Sequence, residues 1–258
     1  MEYNILRDWL SNHQFTWEKL GDILTYHHNA PILFSSGLFF FLFIGFLMIY
    51  MSLRKHTLAR IIYVTLFSLY FYYKSSGLWF GLLVFTATSD FLIAQCISHT
   101  TSVLKRKLFV TLSLCINLGM LGYFKYFNFL GELFTMAAGG EWLKMNIFLP
   151  VGISFFTFQS ISYVIDVYRG RIQPLGRIDY VFYVSFFPQL VAGPIVRARD
   201  FIPQMYKNPT VTRSEFGEGL FLILCGLFKK TVISDYISMN FVDRIFDAPL
   251  LYTGVENL

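Results

Sequence analysis

From Pro31 to Leu53 the chain reads PILFSSGLFFFLFIGFLMIYMSL, a run without one charged side chain. A helix of that length crosses the roughly 30 Å hydrocarbon layer of a bilayer. The rest of the chain agrees: of 258 residues, 55% are hydrophobic, 19% aromatic and only 14% charged, and the mean hydropathy is +0.53. That composition lies outside the range of ordinary soluble domains. The fold class that follows is all-α, a polytopic membrane helix bundle.

Four further spans are expected. IIYVTLFSLYFYY leads up to Lys74 and gathers its tyrosines where an aromatic belt belongs; the others are Trp79 to Ile97, Leu108 to about Phe124, and Ile147 to Tyr168. Basic clusters follow the first, third and fifth spans: Arg54/Lys55/Arg60, Lys105/Arg106/Lys107 and Arg169/Arg171/Arg177. These alternate ends share one side, which the positive-inside rule assigns to the cytoplasm. Opposite loops are expected to hold Lys74, and Lys125 and Lys144 balanced by Glu132 and Glu141. The formal charge of +5 therefore sits in short clusters rather than a binding stripe, which argues against nucleic acid as a partner and leaves membrane lipid. Residues 1–30, polar and carrying Trp9 and Trp17, are expected to form an extracytoplasmic, interfacial segment. They lack the apolar core of a signal peptide. Residues 31–258 are read as one membrane domain.

One stretch breaks the pattern. YVSFFPQLVAGPIVRARDFIPQ, Tyr183 to Gln204, begins like a span, but Pro188 and Pro194 each remove a backbone donor and Arg197 and Arg199 follow at once. A full crossing would carry those arginines to the wrong side. Two readings stand: a re-entrant or broken segment whose irregular backbone is received by protein or a water-filled cavity, or a proline-kinked helix that violates the charge rule. Beyond Glu215 the apolar run before Lys229 and Lys230 is short for a span, so those lysines either snorkel or face a polar interior.

Ionisable and amide groups inside spans are costly and mark function or tight packing. Asp90 and Asn117 are two such groups. Gln159, Ser162, Tyr163 and Asp166 recur at spacings that stack on one helical face. Asp166, near the cytoplasmic end beside Arg169, also fits an interfacial ion pair, and Gln159 a helix-to-helix hydrogen bond. The histidines His13, His27, His28, His56 and His99 all lie outside the apolar runs or at their edges. No Ser-His-Asp set, phosphate loop or metal motif is legible. Cys96, Cys115 and Cys225 lie singly in apolar runs and read as packed, inert thiols.

Four segments in order, LGYFKYFNFL (from Leu121), LPVGISFFTFQSISYVIDVYRG (from Leu149), DYVFYVSFFPQLVAGPIVRARDFIPQ (from Asp179) and GLFKKTVISD (from Gly226), closely resemble the bacterial membrane-bound O-acyltransferase family, its alginate O-acetyltransferase type above all. The resemblance covers about Pro31 to Ile245. It implies a helix bundle in the bacterial cytoplasmic (inner) membrane around a tunnel. Through it, an acyl group from a cytoplasmic thioester, acetyl-CoA or an acyl carrier protein, reaches hydroxyls of an extracytoplasmic polysaccharide. No resident cofactor is implied; a serine-esterase-like extracytoplasmic acyltransferase is the implied partner. Gln189, Gly193 and Pro194 are the candidates for the tunnel wall, and Gln159, Asp166, Arg169 and Arg197 for its cytoplasmic mouth. Arg169 and Arg197 suit an anionic donor, or serve only as positive-inside anchors. The family's candidate catalytic histidine belongs to an RRWHxSL motif expected beyond Leu258, so no catalytic residue is assigned here. A transporter or flippase, or a non-catalytic assembly protein, is the alternative.

Overall fold

The structure, a computed structural model, describes residues 25–26, 34, 36–140, 142–190, 193–248 and 251. The interfacial segment expected over residues 1–30 lies, apart from Thr25 and Tyr26, outside them. Every regular element among the described residues is helical: α1 Gly37–Ser52, α2 Thr57–Ser76, α3 Phe80–His99, α4 Val103–Leu121, α5 Phe127–Ala138, α6 Ile153–Tyr168, α7 Arg177–Ser185, α8 Phe187–Leu190, α9 Ala198–Met205, α10 Arg213–Phe228, α11 Asp235–Ile237 and α12 Asp243–Asp247. Two stretches, Thr57–His99 and Val103–Ala138, are long and apolar enough to cross a membrane, and Gly37–Ser52 is a shorter apolar helix.

Three boundaries differ from expectation. Helix α1 begins at Gly37 rather than Pro31, with Ser36 Oγ accepting from the Phe39 N–H at 3.2 Å at its start. Helix α4 does not stop near Phe124: a π turn, Gly122–Tyr126, carries it on into α5, so Lys125 sits within a helix rather than a loop. Nothing in that stretch ends a helix until Gly139 and Gly140, both at positive φ. Conversely, α6 starts at Ile153 instead of Ile147, because Pro150 lacks an N–H and Gly152 takes a left-handed φ of 75° that a side chain would resist.

The described residues form two compact units, one of Thr25, Tyr26 and Phe43–Asn208, the other of Phe34–Leu42 and the residues from Pro209 onward. In the first, α3, α4 and α6 pack on one another and α7 lies along α2. Consecutive helices α2, α3 and α4 alternate in direction through short links. The Arg106 guanidinium donates to the Tyr168 carbonyl at 2.6 Å, which brings the end of α6 to the start of α4. Of the basic residues expected to share a side, Arg106 and Arg171 therefore gather at one end of this unit, whereas Arg177 stands further in, at the start of α7.

The proline-broken segment forms a hairpin. It enters where the Gln95 amide donates to the Leu175 carbonyl (3.2 Å) and the Leu175 N–H donates to the Tyr163 hydroxyl (2.9 Å). Helix α7 then climbs beside α2, the backbone breaks at Phe186 (ψ 107°), and the Phe187 N–H donates to Ser68 Oγ at 3.2 Å. Ser68 stands eight residues above Arg60, roughly 12 Å of helical rise. The chain returns to Arg60, whose guanidinium donates to the carbonyls of Met205 (2.7 Å), Lys207 (2.8 Å) and Arg54 (3.0 Å). Both ends of the hairpin thus lie at the basic end of the unit. Around its tip, Phe187 meets Phe43, Phe46, Phe67 and Phe71, with ring centroids 5.1 to 6.4 Å apart.

The second unit is built on α10, whose start carries a complete capping box between Thr212 and Glu215. Its helix runs through two π turns, Lys229–Ser234 and Ser238–Val242. Lys229 and Lys230 are exposed, and Lys230 pairs with Asp235 across the first π turn.

Candidate functional site

The residues singled out along α6 and the hairpin divide into two groups. Gln159 is buried near the middle of α6. Its amide nitrogen donates to the Tyr183 carbonyl at 2.8 Å and to Gln189 Oε1 at 3.3 Å. Tyr183 is the last residue but two of α7, where the approaching break leaves carbonyls without intrahelical donors; the glutamine supplies one. Gly193 closes the tip, its N–H donating to the Gln189 carbonyl at 3.0 Å. A Cβ at Gly193 would lie 2.4 Å from Gln189 Cα and 2.9 Å from the Pro188 oxygen, so only glycine lets the returning chain come so near. The Tyr183 hydroxyl donates to the Val196 carbonyl at 2.8 Å and holds the descending arm against α7. Gln159, Gln189 and Gly193 therefore form one constellation.

Pro194 and Arg197 follow it on the descending arm and are exposed. Arg197 precedes α9, and its carbonyl accepts from the Asp200 and Phe201 N–H groups. At the basic end, Asp166 is buried and Arg169 exposed. The ion pair expected between them is instead made with Arg171, at 3.3 Å. Gly170, at a φ of 69°, turns the chain back on the helix end, so the residue after it reaches the carboxylate. Asp166 Oδ2 is buried with no hydrogen-bond partner among the described residues.

A second polar centre joins two of the other intramembrane candidates. Asp90, fully buried on α3, accepts from the Ser113 hydroxyl at 2.6 Å and from the Asn117 amide at 2.7 Å. Ser113 and Asn117 stand four apart on α4 and so share the face turned to α3. Nearby, the Tyr180 hydroxyl of α7 donates to Ser160 of α6 at 3.2 Å. Asp90 thus ties α3 to α4, and the Tyr180–Ser160 bond ties α7 to α6. Sequence reasoning found Asp90 and Asn117 but missed Ser113, Ser160 and Tyr180; the four-residue spacing of Ser113 and Asn117 was the available signal. It also read Arg60 as an anchoring charge, whereas Arg60 is 2% exposed and no carboxylate pairs with it among the described residues. Cys96 and Cys115 lie on outer faces rather than packed.

The exposed His56 and His99 sit at helix ends, away from both polar centres. Among the described residues no group of three or more His, Cys, Asp or Glu side chains forms a metal site.

Comparison with known proteins adds what geometry does not. A peptidoglycan O-acetyltransferase of Helicobacter pylori is 33% identical over 259 residues, which covers 88% of this chain and 49% of that protein. A probable alginate O-acetylase of Azotobacter vinelandii is 34% identical over 216 residues, 80% of this chain and 42% of that protein. A teichoic acid D-alanyltransferase of Bacillus subtilis is 29% identical over 104 residues, 38% of this chain and 25% of that protein. The chain spans about half the length, or less, of the curated relatives it matches. Neither a family model nor a solved structure matches it.

Proposed function

From the premise that this chain belongs with those relatives to the membrane-bound O-acyltransferase family, we propose that it takes part in O-acetylation of an extracytoplasmic polysaccharide at the bacterial cytoplasmic membrane. The acyl group comes from a cytoplasmic thioester, acetyl-CoA or an acyl carrier protein. The hairpin of α7, α8 and the descending arm is a re-entrant element that walls the donor's path. Gln159, Gln189, Gly193 and Pro194 line it, and Asp166, Arg169 and Arg197 stand at its mouth.

One observation carries the reading. The hairpin tip is tied to Ser68 and Gln159, well inside α2 and α6, while its two ends return to the same basic end of the bundle. In hydrocarbon, irregular backbone is tolerated only where protein or a polar cavity receives its polar groups; here side chains of α2 and α6 do so. A thioester already has a good leaving group, so the protein's main work is to position donor and acceptor and to exclude water. Exposed arginines at the mouth suit the phosphates of a coenzyme A or a carrier-protein arm. Deprotonation of the acceptor hydroxyl requires a base, and none of the residues above is given that role. The acyl group passes to the polymer with the help of an extracytoplasmic serine-esterase-like acyltransferase.

Single cysteines placed beside Arg171 and Arg199 should both react with an impermeant thiol reagent from the cytoplasmic face only. Reaction from opposite faces would rule out a re-entrant hairpin. Transfer of labelled acetyl from a thioester to an outer acceptor, lost when the coding sequence is disrupted, tests the reaction itself.

A further inference from the structure

Between α3 and α7 the first unit carries a groove of about 370 Å³ lined by Ala87, Thr88, Phe91, Leu92, Arg177 and Val181. It is separate from the Gln159–Gln189 contact and from the basic mouth. Its size falls within the roughly 300–1,000 Å³ of small-molecule clefts. Four of the lining residues are plain hydrocarbon or aromatic. Thr88 adds little polarity, because its hydroxyl already donates to the Val84 carbonyl at 2.7 Å. Leu92, 55% exposed, forms an open rim.

Arg177 does not belong to such a lining unless something anionic accompanies it. It is exposed, it begins α7, and no carboxylate pairs with it among the described residues. Its position is also unusual. The Gln95 amide, four residues before His99 at the end of α3, holds the Leu175 carbonyl, and Arg177 lies in the groove wall beside Phe91 and Leu92, which are seven or eight residues inward from His99. That is about 11 Å of helical rise. In a membrane protein an arginine at that depth on an outward face either snorkels to the surface or draws an anion to itself.

We propose that this groove is a binding site for one anionic phospholipid, its phosphate on Arg177 and one acyl chain against Ala87, Phe91, Leu92 and Val181. A planar guanidinium takes a phosphate through two parallel hydrogen bonds, and the apolar floor gives a free phosphate nothing to bind beyond that one charge. The lipid fits both halves of the groove. This stands on the membrane setting alone and is independent of the acetyl-transfer reaction.

The test uses the full chain, purified in detergent, stripped of lipid and titrated with phosphatidylglycerol or phosphatidylcholine under native mass spectrometry. One phosphatidylglycerol should be retained in preference to phosphatidylcholine. Arg177→Gln should weaken that retention about fivefold, the effect of one basic residue on an anionic lipid. Leu92→Trp, which fills the groove and leaves the charge, should abolish it, with Val181→Trp as the replacement if that variant does not fold. Lys107→Gln, which removes an exposed charge at the basic end, should leave it unchanged. Equal retention by all variants, or no preference between the two lipids, overturns the proposal. So does displacement by inorganic phosphate, which would make the ligand a free anion. A photo-reactive residue at position 92 should label lipid in native membranes; an adduct with a protein chain would mean that a helix covers the groove instead.

Discussion

The guanidinium of Arg60 and the carbonyl of Met205, 145 positions apart, are joined by a 2.7 Å hydrogen bond in which the donor is charged, buried and without a carboxylate partner among the described residues. Met205 is the last residue of α9, where carbonyls lack intrahelical donors and the helix dipole is negative. Lys207 and Arg54 supply the other two acceptors. The base of the hairpin is thus closed by a cation against backbone dipoles instead of by an ion pair.

Arg60→Met removes that closure and leaves several carbonyls unmatched. Hydrogen bonds to charged groups contribute about 1.5–3 kcal/mol each, so the loss should be on the order of 3 kcal/mol, read as a lower unfolding temperature in detergent. Arg60→Lys should fall between, because a point-like ammonium cannot span the same three acceptors. An unfolding temperature for Arg60→Met equal to the parent's would refute the clamp.

Gly193→Ala should disturb the hairpin tip and little else. The added methyl meets backbone, at Gln189 Cα and the Pro188 carbonyl, which cannot give way as a side chain would. A cost on the order of 2 kcal/mol follows, and a cysteine at position 189 should become reactive to thiol reagents only in the alanine background. Unaltered reactivity would show that the tip does not depend on that close approach.

Asp90 and Asn117 should behave as a coupled pair. In a cycle of Asp90→Ala, Asn117→Ala and the double variant, the coupling energy should be about 1–2 kcal/mol. Additive single losses would mean that the 2.7 Å contact contributes nothing of its own.

Glu215 offers a pH test in the second unit. The Thr212 N–H and hydroxyl both donate to its carboxylate, at 2.7 and 2.8 Å, and hold its pKa below the ordinary glutamate value. A carboxylate with a lowered folded pKa stabilises the fold above its unfolded value, and that contribution is lost as pH falls through the folded one. Protection of the Thr212 amide from hydrogen exchange, corrected for intrinsic rate, should therefore hold at neutral pH and decline on acidification. In Glu215→Ala it should be low throughout.

How much of this was legible follows from the range of each interaction. The extent of α3, the proline break and the inward face of Gln159, Tyr163 and Asp166 depend on local periodicity and on missing backbone donors, and the sequence carries both. The partners do not. Asp166 meets Arg171 and not Arg169 because a left-handed glycine reverses the chain between them, a turn that counting residues along a helix does not register. Arg60 looked like its neighbours Arg54 and Lys55; only the return of the chain at Met205 separates it from them. Ser113 is an ordinary residue until α4 brings it to Asp90, as are Ser160 and Tyr180 until α6 and α7 bring them to each other.

The π turn at Gly122–Tyr126 has a further effect on the helix that contains it. One surplus residue in a spiral of 3.6 per turn throws everything beyond it out of phase by about 100°. The side of Phe127–Ala138 that meets Trp142 and the side of Val103–Leu121 that meets Asp90 are thus not one continuous stripe. Deleting a single residue from the turn would swing the distal arm by that angle and carry Asn128, which holds the Met145 carbonyl, away from its partner.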